Sequence, residues 1–444
     1  MLKNFSYKSV VFNQMLGKFM KKIAVVSTVY PAPIDNGKKV ILNGLVSYFI
    51  ERFGAKNVHW VLVGGGVPID VQNHFIGEVN LHQICGPSVL IKIRNVVLRS
   101  LLAGDKSIQE SMFWSRGVRQ DLTKCLNQIQ PALVVYDTVR MGQLLPSDGP
   151  VCRNILYLDD LFSVRYERML QQIEQGIFLG DSVLGNFAHF VPRLLHGWIN
   201  TSSCLQRNLL KFERKRIMHS ERSQPIRFNT SLLLNDGEVK TLAQDVKADV
   251  RVLRPWLPIE YGHERVFTGH PLFVFLGALN IPHNEIALMR FLKNGFEEFC
   301  KRVPEGELII VGKNPTPRLS EEVSRWDGRV KLAGYVENLD DLLAQCCGMI
   351  VPLVFGSGVK LKVLEALARG VPLVSTDCGV EGIPVTHGKE CYVENDLSQF
   401  GLWMERLMNL TENQTMSLAA AELFQHVYSQ KPVFENYDSI FLPS

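Results

Sequence analysis

An apolar run from Met349 to Phe355 stops at Gly356-Ser357-Gly358, and apolar residues then recur at Val359, Leu361, Val363, Leu364, Leu367 and Ala368 until Gly370. The first pattern is that of a buried strand, and the second, with its steps of three and four, that of a helix. Another apolar run, Val371 to Ser375, follows at once. Strand, glycine turn, helix and strand in direct succession make a βαβ crossover. Such a unit joins parallel strands and sets its glycine loop at their carboxyl end, where open α/β sheets bind ligands. The chain is therefore expected to be α/β, built on parallel sheet.

The residues of that loop state what it offers a ligand. Gly356 and Gly358 permit positive φ and close backbone approach, and the first amides of the following helix form an anion site. Lys360 and Lys362 place positive charge at the helix start, where it opposes the helix dipole unless an anion lies between them. Glu365, three residues after Lys362, shares its face of the helix. A carboxylate there accepts hydroxyl hydrogen bonds of roughly 1.5–3 kcal/mol each. Anion plus vicinal diol describes a nucleotide. The competing reading is a plain sheet-to-helix turn with solvated lysines, and for an isolated glycine loop that reading is the stronger one.

The stretch FGSGVKLKVLEALARGVPLVST resembles the donor-sugar motif of the group-one retaining glycosyltransferases, two-domain enzymes of the GT-B fold (glycosyltransferase family 4-like). FVFLGALNIPHNEIAL, ELIIVGKNP, VKLAGYVENLDDLLAQC and CGVEGI fall in that family's order, and IAVVSTVYPAPIDNGKKV resembles its first strand and acceptor-side loop. The resemblance implies two Rossmann-like domains with parallel sheets facing an interdomain cleft. It implies a nucleotide-sugar donor as substrate, a glycan or lipid-linked acceptor, no cofactor, and retention at the anomeric carbon. It assigns donor binding to Glu365, on the ribose hydroxyls, with Gly356, Gly358, Lys360, Lys313, Gly334, Val336 and Gly277. Ser357, Lys362 and Asp160 are the residues expected to act in catalysis, and Gly37 and Lys38 belong to the stretch that resembles the acceptor-side loop. The sequence departs from the family at Ser357, which stands where an earlier glutamate is frequent. It departs again at Gly277 to Glu285, which has neither the arginine nor the lysine that usually grips the phosphates; Lys360, Lys362 and Lys313 are the replacements. Two alternatives remain, a GT-B sugar-nucleotide epimerase and a non-catalytic nucleotide-binding subunit.

At 444 residues the chain is long enough for two domains. A net charge of +4 is too small to argue for nucleic acid. The nine cysteines show no metal spacing, no Asp-x-Asp occurs to bridge a metal to a diphosphate, and no apolar run reaches membrane-spanning length. A metal-independent, cytoplasmic enzyme of surface polysaccharide or glycoconjugate synthesis is the expectation.

Residues 1–19 read as a leader, either untranslated, with Met20 as the start, or a short amphipathic segment. The acceptor-side domain is expected over 20–255 and the donor domain over 256–431, with a break at Arg254-Pro255-Trp256-Leu257-Pro258. Residues 432–444 are expected to return to the first domain. Within the first domain, Ile23–Val29 is a strand, Tyr30–Lys39 a loop and Val40–Phe53 a helix; residues 105–129 read as helical. The strands Ala132–Tyr136 and Asn154–Leu158 end in Asp137 and in Asp159 with Asp160, and carboxylates at strand ends face the ligand side. Asp160 equally suits the cap of a helix over Phe162–Glu174. Arg227–Leu234 reads as a strand. A helical excursion over 160–227 runs from aromatic (Phe178, Phe187, Phe190, Trp198) to basic (Arg207, Lys211, Arg214, Lys215). A buried aromatic side with solvated charges accounts for it slightly better than a peripheral patch over 176–227 at the inner face of the cytoplasmic membrane.

Overall fold

The computed structural model describes residues 22–34, 36–65, 79–176, 202–259 and 265–442. The leader and most of the aromatic half of the excursion lie outside the described residues. The chain forms two compact units, one of Met1–Ser163, Phe212–Leu257 and Val433–Ser444, the other of Val164–Lys211 and Pro258–Pro432.

The first unit carries a seven-stranded parallel sheet in the order β3-β2-β1-β4-β5-β6-β7. Its strands are β1 (Ile23–Ser27), β2 (Val58–Val63), β3 (Asn80–Ile84), β4 (Leu133–Asp137), β5 (Arg153–Asp159), β6 (Thr230–Leu233) and β7 (Val250–Val252). Every residue of β1, β2 and β4 is buried, as a parallel sheet covered on both faces requires. Its helices include α1 (Gly37–Phe53), α2 (Val89–Asn95), α3 (Arg116–Ile129), the start of α4 (Phe162–Glu174) and most of α5 (Ser203–Ser223).

The second unit carries a six-stranded parallel sheet in the order β10-β9-β8-β11-β12-β13. Its strands are β8 (Leu272–Leu276), β9 (Glu307–Val311), β10 (Val330–Gly334), β11 (Gly348–Val351), β12 (Leu373–Ser375) and β13 (Tyr392–Val393). Its helices include α6 (Pro282–Phe291) and α7 (Leu361–Ala368). The core is aromatic: Phe273, Phe275, Phe291, Phe296, Phe299 and Phe400 are all fully buried. The last helix, α8 (Gln430–Phe441), brings Tyr437 and Phe441 onto Tyr48 of α1 with ring centroids 5.0 and 5.7 Å apart, within the first unit. Asp438 accepts from the Tyr48 hydroxyl at 2.9 Å and from Arg52 Nε at 2.8 Å.

Several expectations need correction. The apolar run from Met349 is strand only to Val351; Pro352 cannot donate to a ladder, and the chain loops until α7 begins at Leu361 rather than Val359. Helix α1 begins at Gly37 rather than Val40, because Asn36 Oδ1 accepts from Lys39 N at 3.1 Å and caps it. Residues 105–129 are two helices, each opened by its own serine cap, Ser107 and Ser115, with extended backbone at Trp114 between them. The strand read over Arg227–Leu234 is confined to Thr230–Leu233, since Pro225–Arg227 is a 3₁₀ turn.

Candidate functional site

Each sheet has one place where the strand order reverses, and an α/β sheet binds its ligands at that crevice. In the second unit it lies between β8 and β11, which pair directly through Gly348 with Phe273 and Met349 with Val274. The carboxyl end of β8 delivers Gly277, and the carboxyl end of β11 delivers the loop of Gly356 to Lys360. The βαβ unit read from sequence thus supplies one wall of the crevice.

Gly277 has φ +155, and a Cβ there would lie 2.8 Å from Asn284 Nδ2 and 2.9 Å from Lys362 Nζ. Gly312, at the end of β9, packs so closely that a Cβ would meet the Gly277 oxygen at 1.8 Å. Lys362, in the first turn of α7, extends to Asn284 at the start of α6. Its Nζ donates to Asn284 Oδ1 at 2.7 Å, and Asn284 Nδ2 donates to the Ala278 oxygen at 2.9 Å. The ammonium also stands over the Phe275 ring, 4.2 Å from its centroid. The segment after β8 has no cation of its own, and Lys362 brings one to it from across the crevice.

The environment of that amine is hostile to its charge. Burial, then the neighbouring Lys360, brings the Lys362 pKa down to about 7. Burial, followed by Lys362, Lys360 and Arg165, holds His283 at about 3, so the imidazole is neutral at physiological pH. A pocket that depresses both Lys362 and His283 favours an incoming anion.

Lys360 behaves otherwise. Its Nζ donates to the carbonyl oxygens of Ser357 at 3.1 Å and Gly358 at 2.6 Å. The side chain props its own loop. From outside, two arginines one turn apart on α4 hold the same loop: Arg165 Nε donates to Ser357 Oγ at 2.9 Å, and Arg168 Nη1 to the Gly356 oxygen at 2.5 Å. Arg168 is itself fixed by a two-pronged pair with Glu381, at 2.5 and 2.6 Å. Sequence reasoning gives no place in this site to Arg168, Asn284 or His283. The signal for the arginines is their i, i+3 spacing, which puts both on one helix face.

Glu365 follows Lys362 by three residues on α7 and is half-buried. One oxygen accepts from Arg369 Nη1 at 2.7 Å, and Arg369 Nε donates to Asp340 at 2.5 Å. The arginine fixes the carboxylate's rotamer, so fewer of its acceptor positions remain for a ligand. Gly334 takes φ +63 and its oxygen accepts from Gly312 N at 2.8 Å. After it come exposed Tyr335 and half-buried Val336, and Lys313 stands 4.7 Å over the Tyr335 ring.

In the first unit the reversal lies between β1 and β4. Ser27 Oγ donates to Asp137 at 2.6 Å; Lys38 Nζ lies 2.7 Å from Asp137 and 3.2 Å from Asp159; and the Tyr157 hydroxyl donates to Asp159 at 2.6 Å. Burial works to lower the Lys38 pKa, but the two carboxylates outweigh it and raise it. Thr138 and Asp159 hold φ of +66 and +74, a conformation that side-chain-bearing residues avoid, at the ends of two central strands. Asp160 lies buried one residue further on, where it helps raise the neighbouring Glu221. Two strand-end carboxylates, Asp137 and Asp159, are thus joined to Lys38. Gly37 and Lys38 belong to the first turn of α1 rather than to a loop. Among the described residues no group of three or more His, Cys, Asp or Glu is arranged to hold a metal ion, and no helix is long and apolar enough to cross a membrane.

Residues 270–409 match the family model described as "Glycosyl transferases group 1". A segment of 174 residues is 29% identical to an "uncharacterized 44.6 kDa protein in cps region" of Klebsiella pneumoniae; it spans 37% of this chain and 44% of that protein. Among solved structures, the chain is similar to Anabaena Alr3699/HepE in complex with UDP and glucose, with TM-score 0.59, 12% identity and coverage of 95% of this chain and 99% of that one. It is similar to the lipopolysaccharide outer core galactosyltransferase WaaB at the same TM-score, identity and coverage. It is also similar to sucrose-phosphate synthase from Thermosynechococcus elongatus, with TM-score 0.62, 13% identity and coverage of 95% and 98%. The two parallel sheets with their helices are thus a GT-B fold of two Rossmann-like units.

Proposed function

We propose that this protein is a glycosyltransferase that takes a sugar from a nucleoside-diphosphate sugar and transfers it, with retention, to a glycan or lipid-linked acceptor in the synthesis of a surface polysaccharide or related glycoconjugate. The observation that carries the reading is the crevice between β8 and β11. There a backbone cleared of side chains at Gly277 and Gly312, the amides at the start of α7, an ammonium that its surroundings hold near neutrality and a fixed carboxylate one turn further on converge. The match of residues 270–409 to a glycosyltransferase family model supports it, as does the UDP bound by the similar Alr3699/HepE.

In this reading the diphosphate sits against the α7 amides and Lys362, and Glu365 accepts from the ribose hydroxyls. Gly334 and Val336 supply backbone contacts to the base, with Lys313 beside them. The bond between the anomeric carbon and the diphosphate breaks as negative charge gathers on the departing phosphate. Fixed amides and Lys362 stabilise that charge without reorganising, and proton affinity near neutrality lets the same amine hold or release a proton there. Arg165 and Arg168 keep the glycine loop in place, with Ser357 Oγ oriented by Arg165. No cofactor takes part. In the first unit, Asp137, Asp159 and Lys38 offer the polar groups for the acceptor, and Asp160 supports them from its buried position.

The test is a donor screen by thermal shift with UDP-, GDP- and ADP-sugars on the wild type and Glu365→Ala. A ligand at about 100 times its dissociation constant adds roughly 2.7 kcal/mol of stability. One nucleotide sugar is expected to stabilise the wild type, with the shift lost in Glu365→Ala. A folded protein that responds to none overturns the reading.

A further inference from the structure

The strongest unassigned feature is helix α2 and its continuation. Val89–Asn95 is α-helical and runs directly into a π-helical turn over Val96–Leu102. Residues facing outward recur in pairs every four positions: Val89 and Leu90, Ile93 and Arg94, Val97 and Leu98, Leu101 and Leu102. Seven of these eight are large apolar side chains, with Val89 70%, Leu90 80% and Leu102 73% exposed. The wider π turn, with more residues per turn than an α-helix, keeps the row in line to the end of the segment.

The inward face is anchored by polar groups, beside half-buried Ile91 and Val96. Asn95 is 2% exposed and donates through Nδ2 to the carbonyl oxygens of Trp114 at 2.6 Å and Ser111 at 3.3 Å. Ser100 is fully buried, and its carbonyl accepts from Arg216 Nε of α5 at 2.9 Å. Arg99 lies over the Trp114 ring at 4.3 Å and pairs with Asp105 at 3.4 Å. A surface helix of a water-soluble domain turns its apolar stripe to the core and its polar stripe to solvent. Here the two are exchanged: the docked face is held by hydrogen bonds and a cation over a ring, and the apolar stripe is left outside. Contiguous exposed apolar surface of this kind marks an interaction site.

Charge selects the partner. No Asp or Glu occurs from Ser88 to Gly104, and the outward row itself carries an exposed cation, Arg94, with half-buried Lys92 two residues before it. An apolar row that carries a cation and no carboxylate complements a lipid bilayer with anionic headgroups, into whose interface such a helix lies lengthwise. We infer that residues 89–102 are a membrane-docking helix that seats the first unit on an anionic lipid surface. This inference rests on the 89–102 face alone and holds whether or not the donor reading does.

The test is co-sedimentation of the full chain with vesicles of phosphatidylcholine alone and of phosphatidylcholine mixed with phosphatidylglycerol. The wild type is expected to pellet with the mixed vesicles, less so as salt rises. The paired substitution L90D/L102D, at two of the most exposed positions, is expected to weaken that binding by about tenfold or more, and Arg94→Glu by at least about fivefold. Both variants keep the wild-type circular dichroism and melting temperature. Leu418→Asp, an exposed leucine of the second unit, binds like the wild type. The inference is overturned if folded wild type stays in solution with both vesicles, if neutral and mixed vesicles bind equally, or if L90D/L102D pellets unchanged. It is also overturned if light scattering shows the pair of substitutions splitting a dimer while vesicle binding is absent, because the face then belongs to a second copy of this chain.

Discussion

Replacing Lys362 by methionine keeps most of the side-chain stem and removes the ammonium, and the result is visible in how stability depends on pH. In the folded chain burial and Lys360 set the amine near 7, against an ordinary 10.5. Between these values the unfolded chain holds a proton that the folded chain has released, so stability rises with pH across that window and is flat below it. From pH 7 to 9 the rise is at most ~2.7 kcal/mol, at ~1.4 kcal/mol per pH unit. Solvent reaching the half-buried amine reduces this, and ~1–2 kcal/mol is expected. Lys362→Met also leaves Asn284 Oδ1 without its partner, which costs about 1–3 kcal/mol at every pH. The informative quantity is therefore how the difference between wild type and variant in urea unfolding changes along a series of pH values, because that constant cost drops out of the change. Wild type should gain on the variant from pH 7 to 9. Saturating nucleoside diphosphate, by favouring the ammonium, should move the gain to higher pH. A difference that stays level or falls would mean that water already screens the amine, and the case for an anion beside it would fail.

Other outcomes follow from single contacts. Gly312→Ala must displace the Gly277 carbonyl, which a Cβ would meet at 1.8 Å, so a loss of roughly 1–3 kcal/mol or more is expected in urea unfolding, along with the nucleotide-induced thermal shift; an unchanged midpoint would refute the packing. Burial raises the Glu221 carboxyl to about 8, against the hydrogen bonds from Ser163 and with help from Asp160. The folded chain there keeps a proton that the unfolded chain loses near 4.5, so this group's stabilisation is present at low pH and is lost as pH rises toward 8. Glu221→Gln imitates the protonated form. Its melting temperature should fall less than the wild type's between pH 5 and 8, and parallel falls would show that the carboxyl titrates normally.

The βαβ unit is legible because a change of hydrophobic period, from a continuous run to steps of three and four, coincides with glycines at 356, 358 and 370. Direction is what the pattern omits. Lys360 and Lys362 are two residues apart and look interchangeable in sequence, yet one folds back on its own loop and the other crosses to Asn284. Asp159, which meets Lys38, takes a positive φ, a tertiary property with no local signature. Arg165 and Arg168 reach Gly356 and Ser357 across nearly two hundred residues of chain. Residues 89–102 show the limit most plainly. Their periodicity reports that a helix has an apolar side, but only the fold says whether that side turns in or out.

The last helix has a consequence for how the protein is made. Val433–Ser444 belongs to the first unit, although Pro258–Pro432 of the second unit separates it from Leu257. During synthesis the first sheet leaves the ribosome early, yet Tyr48 and Phe49 of α1 lack their ring contacts with Phe434, Tyr437 and Phe441 until the last helix is added. For the time needed to translate the intervening 175 residues, at roughly 5–20 residues per second, the nascent first unit shows a sticky aromatic face. Chaperones that bind such surfaces would hold it for much of that interval. A chain cut anywhere in the second unit would never hide it, and would be recognised as damaged by the very unit that is otherwise complete.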